Sequence, residues 1–146
     1  MLYLFPYFVI SSTFILDNIV YTYDYSKSSN VTVGIPGYTI ATAGVTTGEV
    51  VIPNKITIEI QGVGVDFSVT EIAEYAFFNT TITTIVLPNT TSKIGKYAFA
   101  FCSFLNCKFP MPMWLNVLEE YSFYHCDMFE GPLIPNSIIS HFGEKR

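Results

Sequence analysis

The chain has 146 residues, half of them hydrophobic, 16% aromatic and 13% charged, against roughly 25% charge in an average soluble domain. That length suits one domain with a continuous core, and the apolar content excludes intrinsic disorder. Seven basic against twelve acidic residues give a net charge of −5, so the chain has no basic track for nucleic-acid phosphates.

Leu2 to Leu16 is apolar apart from Pro6, Ser11, Ser12 and Thr13, and it ends at Asp17. Fifteen residues of helix reach only about 22 Å, short of the roughly 30 Å of membrane hydrocarbon. Residues 1–16 therefore read as a secretory signal or apolar leader, the alternative being an N-terminal β-strand packed on the next segment. Three glycosylation acceptor patterns follow, at Asn30, Asn79 and Asn89. They fit an extracellular protein, although threonine-rich strand sequence also produces such triplets by chance.

Residues 17–69 read as a β-rich N-terminal cap, because short β-branched runs alternate with Gly34, Pro36-Gly37, Gly44 and Gly48. Ile56, Ile58 and Ile60 alternate with polar residues as in a half-buried strand. Gly62-Val-Gly64 is the expected turn of a hairpin over residues 50–69.

From residue 70 a unit repeats. Ile72-Ala-Glu-Tyr-Ala-Phe77 is matched by Ile94-Gly-Lys-Tyr-Ala-Phe99 and by Leu118-Glu-Glu-Tyr-Ser-Phe123, with a fourth start at Phe142-Gly143. A period of this length predicts a solenoid, whose units bury their apolar sides only against one another. Phe77, Phe99 and Phe123 should stack as a ladder, with Ala76, Ala98 and Ser122 small where coils approach. Tyr75, Tyr97 and Tyr121 form a second stripe, expected to cover the edges of that ladder. Ile85-Val-Leu87, Cys107-Lys-Phe109 and Pro132-Leu-Ile134 are the expected strands of a parallel sheet. Their outward residues Thr84, Val86, Asn106, Lys108, Gly131 and Leu133 form a small, weakly charged candidate protein-binding face.

The residues Ile94-Gly-Lys-Tyr-Ala-Phe99 with Cys102, and the returns Ile85-Val-Leu-Pro88 and Leu133-Ile-Pro135, resemble the BspA-like, Treponema pallidum-type leucine-rich repeats of surface proteins. Ala73, Thr80, Glu119 and Pro132 depart from that pattern. The resemblance implies about three repeats and a truncated fourth over residues 70–143, each with a β-strand and a short helical or irregular turn. It also implies a secreted or cell-surface role in adhesion or recognition of a host, matrix or self protein. The alternative is a structural or intracellular repeat fragment with no binding activity of its own.

Cys102 and Cys126 occupy equivalent repeat positions, within reach of a disulfide or else buried as thiols. Glu119, Glu120, His125 and Asp127 are close in sequence, but His125 stands at the turn position of Asn79 and Phe101. No nucleophile motif, cofactor cradle or metal-ligand spacing is present in the sequence, so neither enzyme nor cofactor is expected. Solenoids need a polar cap, and Ile134, Ile138, Ile139 and Phe142 are expected to leave an apolar C-terminal end suited to self-association.

Overall fold

The computed structural model describes residues 12–23, 29–106 and 111–127. The chain opens with a hairpin of β1 (Ser12–Leu16) and β2 (Ile19–Tyr23), closed by Asp17 and Asn18 at φ 50° and 64°. Two consecutive positive φ values make the type I′ turn whose twist matches antiparallel strands, and Asp and Asn tolerate it best after glycine. Ser12–Leu16 of the apolar start are thus strand, and residues 1–11 lie outside the described residues.

β2 pairs antiparallel with β3 (Asn30–Val33), and β3 then pairs parallel with β6 (Val63–Ile72). Along its first half β6 forms a hairpin with β5 (Lys55–Ile60), closed at Gln61 and Gly62, φ 51° and 78°. This turn sits earlier than the Gly62–Gly64 expected from sequence, because a two-residue type I′ loop needs its positive φ at adjacent positions. Ile56 is buried and Ile58 and Ile60 half-buried, as their alternation predicts.

β6 continues the sheet through β8 (Lys93–Ile94) to β9 (Val117–Leu118), all parallel. One row of residues crosses these strands: Tyr21, Val33, Ile72, Ile94 and Leu118 are successive partners and all buried. A parallel ladder therefore runs through the start of each repeat, in addition to the one the sequence placed at the return. Returns 107–109 and 132–134 lie outside the described residues.

The return of the first unit is β7 (Thr81–Val86), and its parallel partner is β4 (Thr47–Val51). Since β3 aligns with the end of β6 and β4 with β7, residues 30–52 themselves run as a coil stacked on the first repeat. Thr42 and Ala43 donate their amides to the Ala76 carbonyl, and Ile52 donates to that of Val86. The β5–β6 hairpin separates this coil from the next in sequence. The loop between β3 and β4 packs tightly against the β1–β2 hairpin: a Cβ on Gly44, at φ 85°, would lie 2.6 Å from the Asn18 carbonyl oxygen.

The turns carry the repeat. Tyr75, Tyr97 and Tyr121 all have φ between 55° and 59°, and Asn79, Phe101 and His125 between 53° and 60°. L-residues other than glycine and Asn/Asp rarely adopt this region, and it costs on the order of 1–2 kcal/mol each. What offsets that cost is a hydrogen-bond pattern. The amides of Tyr75, Phe77 and Asn79 donate to carbonyls of Lys96, Ala98 and Ala100, and those of Tyr97, Phe99 and Phe101 to Glu120, Ser122 and Tyr124. Amides between them bond within the turn, as Phe78 does to Tyr75 and Ala100 to Tyr97. Every second amide thus points along the stack, as in a strand, while the chain still bends. No helix is present among the described residues.

Candidate functional site

Side chains follow the same translation. Phe77 and Phe99 stack with ring centroids 5.2 Å apart and Phe99 and Phe123 5.1 Å apart, both pairs nearly parallel, inside the core. These spacings are close to the separation of paired strands, so each ring rides on the one a coil below. Ala76, Ala98 and Ser122 are buried beside them, as the repeat predicts. Gly95 marks the tightest approach, since a Cβ there would lie 2.5 Å from the Glu74 backbone nitrogen.

The tyrosine stripe forms its own column, with Tyr75, Tyr97 and Tyr121 stacked 5.1 and 5.0 Å apart. Tyr97 meets Phe78 and Tyr121 meets Tyr124 edge-on, while Tyr75 is tilted against Phe78. The neighbouring corner holds Phe101, against which the exposed His125 ring stacks at 5.2 Å, with Tyr124 in edge contact with both. His125 is therefore one more member of an aromatic column at the left-handed corner. The sequence found that equivalence but not the backbone conformation behind it.

Among the described residues Cys102 and Cys126 are buried free thiols, not a disulfide. Cys102 Sγ donates to the Phe77 carbonyl and Cys126 Sγ to that of Phe99, each at 3.0 Å, while Thr80 Oγ1 donates to the Phe77 carbonyl at 2.8 Å. Burial raises both thiol pKa values, that of Cys126 to about 12, with the neighbouring Cys102 adding to the rise. Such thiols act as apolar fillers with a weak donor, poor nucleophiles and poor metal ligands. Among the described residues no cluster of His, Cys, Asp and Glu is arranged to hold a metal ion.

Two surfaces remain. One is a groove of about 630 Å³ lined by Glu74, Lys96 and residues 116–120. Beside it Lys93 meets Glu119 at 2.9 Å, and the Lys96 amide donates to the same carboxylate. Burial pushes the Glu119 pKa up, but the hydrogen bonds from Lys93 and Lys96 outweigh it and leave the pKa lowered. That of Lys93 is raised, first by the hydrogen bond to Glu119.

The other is the outer face of β4–β7. Val51 and Val86 are cross-strand partners and remain 58% and 49% exposed. Asn106 is exposed and extends this face, donating its amide to the Thr83 carbonyl. Thr84 departs from expectation: a bulge opposite Gly48 and Glu49 shifts the register, so its hydroxyl is buried and Thr83 is exposed instead. Lys108, Gly131 and Leu133 lie outside the described residues, as do Ile134, Ile138, Ile139 and Phe142. Asn30, Asn79 and Asn89 are all exposed, although the Thr91 side chain of the third pattern is buried.

Repeats stacked in register, with a small residue and a phenylalanine facing the next coil and a thiol beneath, match a known family model. Residues 50–145 match the BspA type leucine rich repeat region. The chain belongs to the BspA-type leucine-rich repeat family. Solved structures agree on this fold. A leucine-rich repeat protein from Bacteroides capillosus aligns at 27% identity and TM-score 0.62, over 87% of this chain and 85% of that one. A leucine-rich repeat protein from Bacteroides ovatus aligns at 24% identity and TM-score 0.65, over 86% of this chain and 30% of that one. A leucine rich cell surface protein from Faecalibacterium prausnitzii aligns at 18% identity and TM-score 0.53, over 87% of this chain and 38% of that one. The chain thus spans most of the first of these proteins and about a third of the other two. No curated protein matches it.

Proposed function

We propose that this BspA-type protein is a non-enzymatic protein-binding module, a secreted or cell-surface solenoid used in adhesion or recognition. Residues 17–69 would serve as its β-rich N-terminal cap, with the coil over residues 30–52 as the part stacked on the first repeat. The observation that carries the reading is the β4–β7 face. There a rigid, hydrogen-bonded stack holds an uncharged pair of exposed valines, Val51 and Val86, beside the polar Asn106. Fixed apolar residues rimmed by polar ones suit contact with protein, and preorganisation limits the entropy lost on binding. The cell-surface description of the Faecalibacterium protein supports the location. Asn30 and Asn79 are then the best placed glycosylation acceptors, since Thr32 and Thr81 of their patterns are accessible and Thr91 of the third is not.

The test is adhesion of the purified protein to immobilised extracellular-matrix proteins, compared with Val86→Asp and Val51→Asp. Binding reduced about tenfold or more by either substitution, with the thermal melt unchanged, is the expected result. Binding indifferent to both removes this face from the account.

The alternative, a repeat fragment that stays inside the cell, has one observation in its favour: Ser12–Leu16 are built into the sheet as β1, with Phe14 stacked on Tyr21 at 5.5 Å. Sequencing the N-terminus of protein from its native source separates the two. Cleavage before Ser12, with a mobility shift on glycosidase treatment, supports export, whereas an intact Met1 and no shift supports the alternative.

A further inference from the structure

The start of the sheet presents a backbone edge whose hydrogen-bonding groups can be located. Val20 donates its amide to Ala43, and its carbonyl accepts from Gly34, so both its polar groups point away from β1. Ile15 is the partner of Val20. In an antiparallel pair, residues alternate between facing their partner and facing away from it. The N–H and C=O of Ile15, and of Thr13 two residues earlier, are therefore directed outward from the sheet. No strand among the described residues pairs with that side.

This edge lacks the features by which proteins guard such positions. β1 contains no charge, proline or bulge, and the Ile15 side chain is 71% exposed. Its geometry is also self-complementary. If two β1 strands run antiparallel about a two-fold axis through Phe14, Thr13 of each copy falls opposite Ile15 of the other. The residues with outward polar groups then meet, and each opposed pair exchanges N–H···O=C bonds in both directions. No like charges face one another, which matters for a chain of net charge −5.

We propose that β1 is a homodimerisation edge, joining two copies in one continuous sheet. β9 lies at the other end of the strand order, so the repeats of the two copies extend away from the junction. The assembly presents two copies of every repeat surface, and a bivalent binder gains avidity without new contacts.

Sedimentation velocity of the full chain across a concentration series, combined with amide hydrogen exchange, tests this. The expected result is a reversible dimer in which Thr13 and Ile15 amides gain protection as concentration rises. Ile15→Pro removes one outward donor and no internal hydrogen bond, and should weaken the dimer at least about tenfold. Ile15→Lys changes only an exposed side chain and should do the same by placing charge on the edge, which keeps the test valid should the proline variant misfold. A monomer at all concentrations overturns the proposal. So does a dimer unaffected by Ile15→Lys, or protection of Thr13 and Ile15 that is independent of concentration, which would show the edge covered within the chain.

Discussion

The turn side of each coil and its return side behave differently, although the same repeat encodes both. On the turn side, residues 75–79, 97–101 and 121–125 share the same positive φ positions and stack their phenylalanines, and the first two repeat the same amide pattern towards the next coil. On the return side, Ile82 is buried in β7, whereas the residue 22 positions later, Phe104, is 62% exposed and Leu105 is buried in its stead. The first coil runs straight into a strand supported by β4. The second makes an extra turn, closed by the Leu105 amide on the Cys102 carbonyl, and this moves the inward position by one residue. Register is held where every second amide and a buried ring face the next coil, and it drifts where only the hydrophobic pattern holds it.

Substitutions should therefore cost most on the turn side. Phe99 sits between two stacked rings, and Phe99→Ala should destabilise by about 3–5 kcal/mol in chemical denaturation. A loss below about 1 kcal/mol would mean that the ladder is incidental. Gly95→Ala drives a methyl group into the backbone at Glu74 and should cost about 1–3 kcal/mol, even though Ala73 occupies the equivalent place one coil earlier. Smaller still is the Lys93–Glu119 pair, about a third exposed on both sides. Because the Glu119 pKa is lowered on folding, its contribution is present above the ordinary carboxylate range and is lost as pH falls through the lowered value. Glu119→Gln should flatten the decline in stability below about pH 4.5 by less than about 1 kcal/mol. On the return side, Phe104→Ser should change stability by no more than about 0.5 kcal/mol. A large loss there would erase the contrast.

The thiols sharpen the same contrast chemically. Cys102 and Cys126 lie beneath the turn, buried and bonded to carbonyls of the preceding coil. Neither should react with a thiol reagent at pH 8 until the protein unfolds, as mass mapping of labelled peptides would show.

The repeat was legible because it is written in side chains: Tyr-Ala-Phe and Tyr-Ser-Phe recur with a register that fixes which ring lies over which. His125 could be assigned to the corner of Asn79 and Phe101 for the same reason. The coil over residues 30–52 was not legible, because the β5–β6 hairpin interrupts the period between Val33 and Ile72. The left-handed turns were hidden as well, since tyrosine and phenylalanine have no intrinsic preference for positive φ and are held there by the stack. Thr84 was misassigned to the surface because alternation alone does not reveal a bulge. The candidate binding face is consequently the least legible part, with Val51 coming from a strand that belongs to no recognisable repeat.

The central claim is that alternate turn amides hold the coils together as a strand ladder would. Amide hydrogen exchange measures this residue by residue. The account predicts that Phe77, Asn79, Phe99 and Phe101 exchange as slowly as Val69 and Ile72 in β6, through global unfolding, while Thr83 and Phe104 exchange faster. Turn amides that exchange as quickly as Thr83 would contradict it.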